Sequence, residues 1–249
     1  MEKIPREMQG NDFEQKENYG HDVTIIIDLI RHAEKEGSNG PLTEEGLNDA
    51  KEFGQKLKND FPDSSGTKVY HSWIPRAEQT AQAISEDSLF VSRKREYSLS
   101  GKFSKDFLAE FEARANEAKD EDTAVQWYID SGDEKPNSET ASSKETSGML
   151  AEEINHFIDV SARLKEHSKV NIVLVSHSGV IEHFLVDALS MQRQGFLEKI
   201  GGGVEYLEGA RLIVHRNDKD TVTIKIQFRD NEIVLTPERL KEIASQIQR

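Results

Sequence analysis

The chain has 249 residues, 35% hydrophobic and 31% charged, enough for one large α/β domain or two small ones. Its net charge of −14, from 46 acidic against 32 basic residues, argues against a broad nucleic-acid or anionic-membrane surface, so any anionic ligand would need a local cationic pocket. The absence of cysteine excludes disulfides, thiolate metal sites and a cysteine nucleophile; with no apolar leader after Met1 and no bilayer-length apolar run, the expected location is the cytoplasm.

Residues 1–21 are polar, mixed in charge and aperiodic, and are expected to form a flexible arm ahead of a single domain over 22–249. Residues 23–30 are nearly all apolar and rich in β-branched side chains, the pattern of a strand buried on both faces. A Gly/Asn/Pro loop follows over 33–41. Thr43 then caps a helix with Leu47, Ala50, Phe53, Gly54, Leu57 and Phe61 on its inner face. Lys68–His71 is a short strand, and Pro75 opens a helix whose inner face is Ala77, Thr80, Ala81 and Ile84. Another short strand is expected at 89–91.

Residues 97–130 are expected to be helical, with Phe103, Phe107, Leu108 and Phe111 forming one apolar stripe and Trp127 and Ile129 another. Ser131–Ser147 is rich in turn formers and hydroxyls and predicts a loop. A helix is predicted from about Gly148 to Glu166, then a strand over 170–175 and a helix through Val180, Phe184, Leu185, Ala188 and Leu189. Residues 204–215 and 221–228 alternate like two strands, and Thr236-Pro237 opens a terminal helix carrying Leu240, Ile243 and Ile247. This alternation predicts an α/β fold: a three-layer open sheet, mostly parallel, with helices on both faces and a mainly helical insertion (about 97–167) over the strand C-terminal ends. Ligands of such sheets bind at those ends.

Two polar clusters fall there. Arg31-His32 ends the first apolar strand, and Ser176-His177-Ser178-Gly179 ends the second. Arg76 begins the helix after Pro75. A neutral imidazole can attack phosphorus and form a phosphoramidate that water then hydrolyses, without metal or cofactor. Arg31 and Arg76 offer forked, permanently charged donors for phosphate oxygens. His177 can add a third cation, since bound phosphate favours its charged form. The amides of Ser178 and Gly179 could add donors at a helix start. His71 and His183 are expected to have capping or core roles.

These motifs resemble the histidine phosphatase superfamily, also called phosphoglycerate-mutase-like. The family's Arg-His-Gly-Glu appears as Arg31-His32-Ala33-Glu34, and its Leu-Thr-x-x-Gly-x-x-x-Ala helix start as Leu42 through Ala50. Ser72 through Ala81 is similar to its Ser-x-x-x-Arg-Ala-x-x-Thr-Ala segment, and Val175-Ser176-His177-Ser178-Gly179-Val180-Ile181 to its second histidine motif. The resemblance covers about 23–90 and 168–190; residues 97–167 correspond to the variable insertion. It implies that His32 is the phosphorylated nucleophile, that Arg31, Arg76 and His177 clamp the phosphoryl group, and that Ser178 lies in the phosphate pocket. Ala33 replaces a glycine, which requires a negative φ there. Ser178 also replaces a glycine and could add a hydroxyl donor.

For the proton donor, one branch of the family places an Asp where this chain has Ser178. The other uses a Glu in an Arg-Glu-x-x-x-Gly context, which Arg95-Glu96-Tyr97-Ser98-Leu99-Ser100-Gly101 resembles with one extra residue. Glu96 is therefore the expected donor, with Glu110, Asp106 and Glu34 behind it; the alternative for Glu96 is a surface pair with Arg93 or Arg95. The expected activity is phosphomonoester hydrolysis on a small phosphorylated substrate with inorganic phosphate as product, no metal or cofactor, and neither nucleic acid nor membrane as partner. The oligomeric state is left open. A phosphoglycerate mutase is the alternative, although the short, Trp-free Lys35–Pro41 stretch resembles phosphatase members more. A non-catalytic phosphate-binding protein would not need the intact nucleophile, and a His-rich metal site would be opposed by the arginines. If the acidic Ser131–Ser147 loop covers the site, polyanionic substrates should be disfavoured.

Overall fold

The computed structural model describes residues 19–37, 40–85, 91–93, 97–218 and 220–247. In chain order these form β1 (Val23–Arg31), α1 (Glu44–Asp60), β2 (Gly66–His71), α2 (Pro75–Ile84), β3 (Val91–Arg93), α3 (Lys105–Ala118), α4 (Glu121–Asp130) and α5 (Ser143–Ser161). β4 (Lys169–Ser176), α6 (Ile181–Ala188), α7 (Phe196–Ile200), β5 (Gly209–Arg216), β6 (Val222–Phe228), β7 (Asn231–Leu235) and α8 (Pro237–Ala244) complete the set. The strands make one sheet in the order β3-β2-β4-β1-β5-β6-β7. From β3 to β1 the pairings are parallel; from β1 to β7 they are antiparallel. The sheet is thus open and mixed, and its parallel half carries the predicted site motifs.

β1 is continuous in apolar character because both of its faces are covered. Ile25, Ile27 and Leu29 enter a core shared with α5, α6 and α8, whereas Ile30 joins Val173, Val175 and the inner faces of α1 and α2. Asp28 interrupts the run, and the guanidinium of Arg211, its cross-strand partner, lies 2.7 Å away. Thr43 caps α1 as the sequence predicts, by accepting from the Gly46 amide. A side chain at Gly46 would stand 2.4 Å from the Glu34 carbonyl oxygen, so the missing Cβ lets α1 close on the loop leaving β1. Leu47, expected inside, is 37% exposed; the buried face of α1 is Gly46, Ala50, Gly54 and Leu57.

Other boundaries differ from expectation. α5 begins five residues earlier than predicted, because Ser142 and Glu145 form a capping box ahead of a buried first turn of Ser143, Thr146 and Ser147. α5 packs on the sheet face against β1 and α8, while α3 is the helix that reaches the strand C-terminal ends. β3 falls at 91–93, and positions 89–90 of the predicted strand lie outside the described residues. β7 and the short α7 are additions to the predicted elements. Tyr19 and Gly20, expected in the flexible arm, are tied to Lys165 and Leu164 by backbone pairing; residues 1–18 lie outside the described residues. No helix among the described residues is long and apolar enough to cross a membrane.

Candidate active site

β1 and β4 are parallel neighbours in register up to Arg31 and Ser176, and the His32 amide donates to the Ser176 carbonyl at 3.0 Å. The histidine that follows each strand therefore emerges beside the other, with ring centroids 5.2 Å apart. His32 Nδ1 lies 2.7 Å from the Ala33 carbonyl oxygen. A carbonyl only accepts, so Nδ1 carries the proton and Nε2 keeps its lone pair. That lone pair accepts from Arg76 Nε at 2.8 Å.

The supports of this group also come from the motifs. Thr80, buried on α2, accepts from the Ala33 amide at 3.0 Å and donates to the Arg76 carbonyl at 2.8 Å, so one hydroxyl joins the His32 loop to the helix that carries Arg76. Ser72 Oγ and His177 Nε2 share a 2.6 Å hydrogen bond. Arg31 donates to the Val204 carbonyl at 2.9 Å and to Glu121 Oε2 at 2.8 Å, and its guanidinium lies 4.4 Å from the ring centre of Tyr206. Ala33 is not among the positive-φ residues, so the methyl that replaces the family's glycine is accommodated.

Burial and the neighbouring arginines make the site hostile to further positive charge. Burial lowers the His32 pKa to about 3, assisted by Arg76 and Arg31 and opposed by the Ala33 carbonyl. His177 is held well below the usual histidine value by burial, then by His32, Arg76 and Arg31. Arg76 is also lowered, by burial and then by Arg31. Both imidazoles are thus neutral at pH 7, which leaves His32 nucleophilic. A phosphate dianion would reverse the electrostatic part of these effects and favour the charged form of His177.

Arg31, His32, Arg76 and His177 line one cavity of about 350 Å³, together with Lys35, Ser178 and Gly179. The structure thus gathers the predicted Arg/His set in one place. Ser178 is turned to another use: its hydroxyl donates to Glu182 Oε1 at 2.9 Å, and the Gly179 amide donates to Glu182 Oε2 at 2.7 Å. The helix itself starts at Ile181, so the expected pair of amides at a helix start is not formed. Glu182 also accepts from the Val204 amide at 3.0 Å, tying the His177 loop to the segment that Arg31 grips. Burial raises its pKa.

Glu96 lies outside the described residues. Of the carboxylates ranked behind it, Glu110 pairs with Arg114 along α3, Glu34 accepts from the Thr43 hydroxyl, and Asp106 is in the first turn of α3 away from the cavity lining. The cavity's own carboxylates are Glu112 and Glu121. The Ser131–Ser147 loop does not line the cavity, so it is not the source of acidity there. His183 is a core residue bonded to Ser143 Oγ, and His71 is buried with Nδ1 on the Ser72 carbonyl, as expected of both. The sequence reading missed Glu121 and Glu182. The signal for Glu182 was available: it is an acid inside the mostly apolar run Val180–Val186, four residues after Ser178. Among the described residues no group of three His, Asp or Glu side chains is placed to hold a metal ion.

Among curated proteins, none matches this chain. The fold is similar to a solved mycobacterial glucosyl-3-phosphoglycerate phosphatase, with a TM-score of 0.56 and 16% identity over 82% of this chain and 97% of that one. It is also similar to a structure described as mycobacterial hydrolase 2, with a TM-score of 0.55 and 16% identity over 90% of this chain and 97% of the other. At such identity these likenesses establish the fold. The profile of the histidine phosphatase superfamily (branch 1) matches residues 27–203, from the middle of β1 through the His177 motif, and the chain belongs to that superfamily.

Proposed function

We propose that this protein is a phosphatase that hydrolyses a small phosphomonoester through a phosphohistidine on His32 and releases inorganic phosphate. One observation carries the reading: His32 Nδ1 is fixed on the Ala33 carbonyl while Nε2 sits in a cavity also lined by Arg31, Arg76 and His177. Phosphate oxygens draw the guanidinium of Arg76 off Nε2 and take it, with Arg31, as forked partners. Nε2 attacks phosphorus, the bond to the leaving oxygen breaks, and that oxygen takes a proton. We assign the proton to Glu96 from its Arg-Glu context.

The resulting phosphoimidazole is cationic, because Nδ1 keeps its proton, and is therefore a good leaving group. Water then attacks phosphorus and gives a proton to the Glu96 carboxylate; the P–N bond breaks and His32 returns neutral. Arg31, Arg76 and charged His177 stabilise the phosphoryl oxygens through both steps. The reaction needs no metal or cofactor, and we place it in a single domain over 22–249 acting in the cytoplasm.

The test compares wild type with His32→Ala on phenyl phosphate, with an alkaline detergent quench that preserves a P–N bond and traps a phosphorylated protein. Wild type should turn over and label; the variant should do neither while keeping its unfolding transition. Undiminished turnover by the variant would remove the covalent mechanism. A phosphoglycerate with a bisphosphoglycerate primer should give little interconversion; efficient interconversion would assign the same phosphohistidine to a mutase.

A further inference from the structure

The cations supply only part of the cavity. Its main apolar wall comes from α3 and the segment before it: Phe103, Phe107, Leu108 and Phe111. This wall is preformed. Phe107 is buried and stacks on Trp127 at 5.8 Å, and it contacts Phe103 and Phe111 at 5.2 and 6.1 Å. Phe111 reaches over the phosphate loop, since its ring tip lies 3.8 Å from where a Gly179 Cβ would stand. Leu108 lines the cavity yet is 49% exposed, so apolar surface remains for a bound group to cover.

Polar handles for a sugar or an amino acid are few on this side, where Asn116 is the lone carboxamide of the lining among the described residues. The Ser100 hydroxyl accepts from Trp73 and donates to the Gly101 carbonyl, and the Tyr128 hydroxyl is held by Ala141 and Thr146. Glu112 and Glu121 bring negative charge to the lining. Lys35, the remaining cation of the lining, interacts with both carboxylates and donates to the Gly37 carbonyl.

We infer that the leaving group of the substrate is an uncharged apolar alcohol, aryl or branched alkyl, seated on Phe103, Leu108 and Phe111 while its single phosphate occupies the Arg31/Arg76/His177 cluster. The inference rests on the reading of that cluster as a phosphoryl site. Burial of a ring on this wall supplies affinity that a polar leaving group cannot obtain, and a second anionic group would meet Glu112 and Glu121.

Calorimetry with two unreactive probes, benzylphosphonate and methylphosphonate, tests it independently of turnover. Benzylphosphonate should bind about tenfold tighter or more. Leu108→Ser, at a half-exposed position that should fold normally, and Phe111→Ala should each shrink that ratio severalfold. Equal affinity for the two probes, binding of neither, or a ratio that survives both substitutions would overturn the inference. Turnover separates it from the phosphatase reading. A benzylphosphonate preference without hydrolysis of any monoester would sink the enzyme and keep the apolar seat. Equal kcat/KM for phenyl phosphate and glycerol phosphate would keep the enzyme and sink the seat.

Discussion

Thr80→Val removes one oxygen from a fully buried position and changes almost nothing else in shape. In the wild type that oxygen accepts from the Ala33 amide and donates to the Arg76 carbonyl. In the variant the Arg76 carbonyl keeps its helical partner, but the Ala33 amide, on a residue with 0% exposure, is left without one. An orphaned buried amide costs about 1–3 kcal/mol. With Tm falling roughly 2–4 °C per kcal/mol for a chain of this size, a loss of about 2 kcal/mol lowers Tm by about 4–8 °C. Activity should fall further than stability suggests, because the Ala33 carbonyl aims the His32 ring and the Arg76 turn moves with it. We expect at least about a tenfold drop in kcat, equivalent to ~1.4 kcal/mol of misplacement. Thr80→Ser keeps the hydroxyl and loses a methyl, so it should cost about 1 kcal/mol in stability and keep kcat within a few-fold. Urea unfolding and steady-state hydrolysis of phenyl phosphate read both effects. A valine variant with wild-type kcat and stability within about 0.5 kcal/mol would show that this hydroxyl link does not hold His32 in place.

Arg76→Lys keeps the charge but loses the fork and the Nε contact with His32, so kcat/KM should fall by about 100-fold; a change under threefold would mean that point charge suffices. Glu121→Gln frees Arg31 Nη2 from a partner whose side chain is 47% exposed, so phosphate should bind only about two- to fivefold tighter by calorimetry, and weaker binding would contradict the competition drawn here. The ring resonances of His32 and His183, whose pKa values burial lowers to about 3, should stay at their neutral positions down to pH 5 in NMR titrations. Because these folded-state values lie below the unfolded value of roughly 6.5, the stability gained from neutral rings is complete above that pH and drains away as pH falls toward 3; midpoints near 6.5 would refute the burial argument.

The residues that reveal themselves in the sequence are those whose chemistry is placed by regular geometry. Arg31, His32 and His177 follow apolar strands, and Arg76 follows a helix-opening proline, so strand ends and a helix start gave their positions without any side-chain packing. The parallel half of the sheet followed from the same alternation. What stayed hidden depends on partners distant in the chain. Ser143, Thr146 and Ser147 have loop-like composition, yet they are buried in α5 because a capping box and the packing of α6 and α8 outweigh local propensity. β7 is a five-residue edge strand with an exposed Val234, too short and too one-sided to stand out. Glu121 meets Arg31, and Glu182 joins Ser178 and Gly179 to Val204; Arg31 and Val204 are remote in the chain from the carboxylates they bond.

The 5.2 Å between the two imidazoles is close to the 4.7–4.9 Å that separates any pair of hydrogen-bonded strands. His32 and His177 thus inherit their separation from main-chain ladders, whereas the aromatic lining arrives from an independent stretch of chain. Scaffold and selector are separable parts. On the proposed reading, exchanging the α3 region for a foreign helix would change which group is seated in the cavity and leave the paired histidines and arginines as they stand.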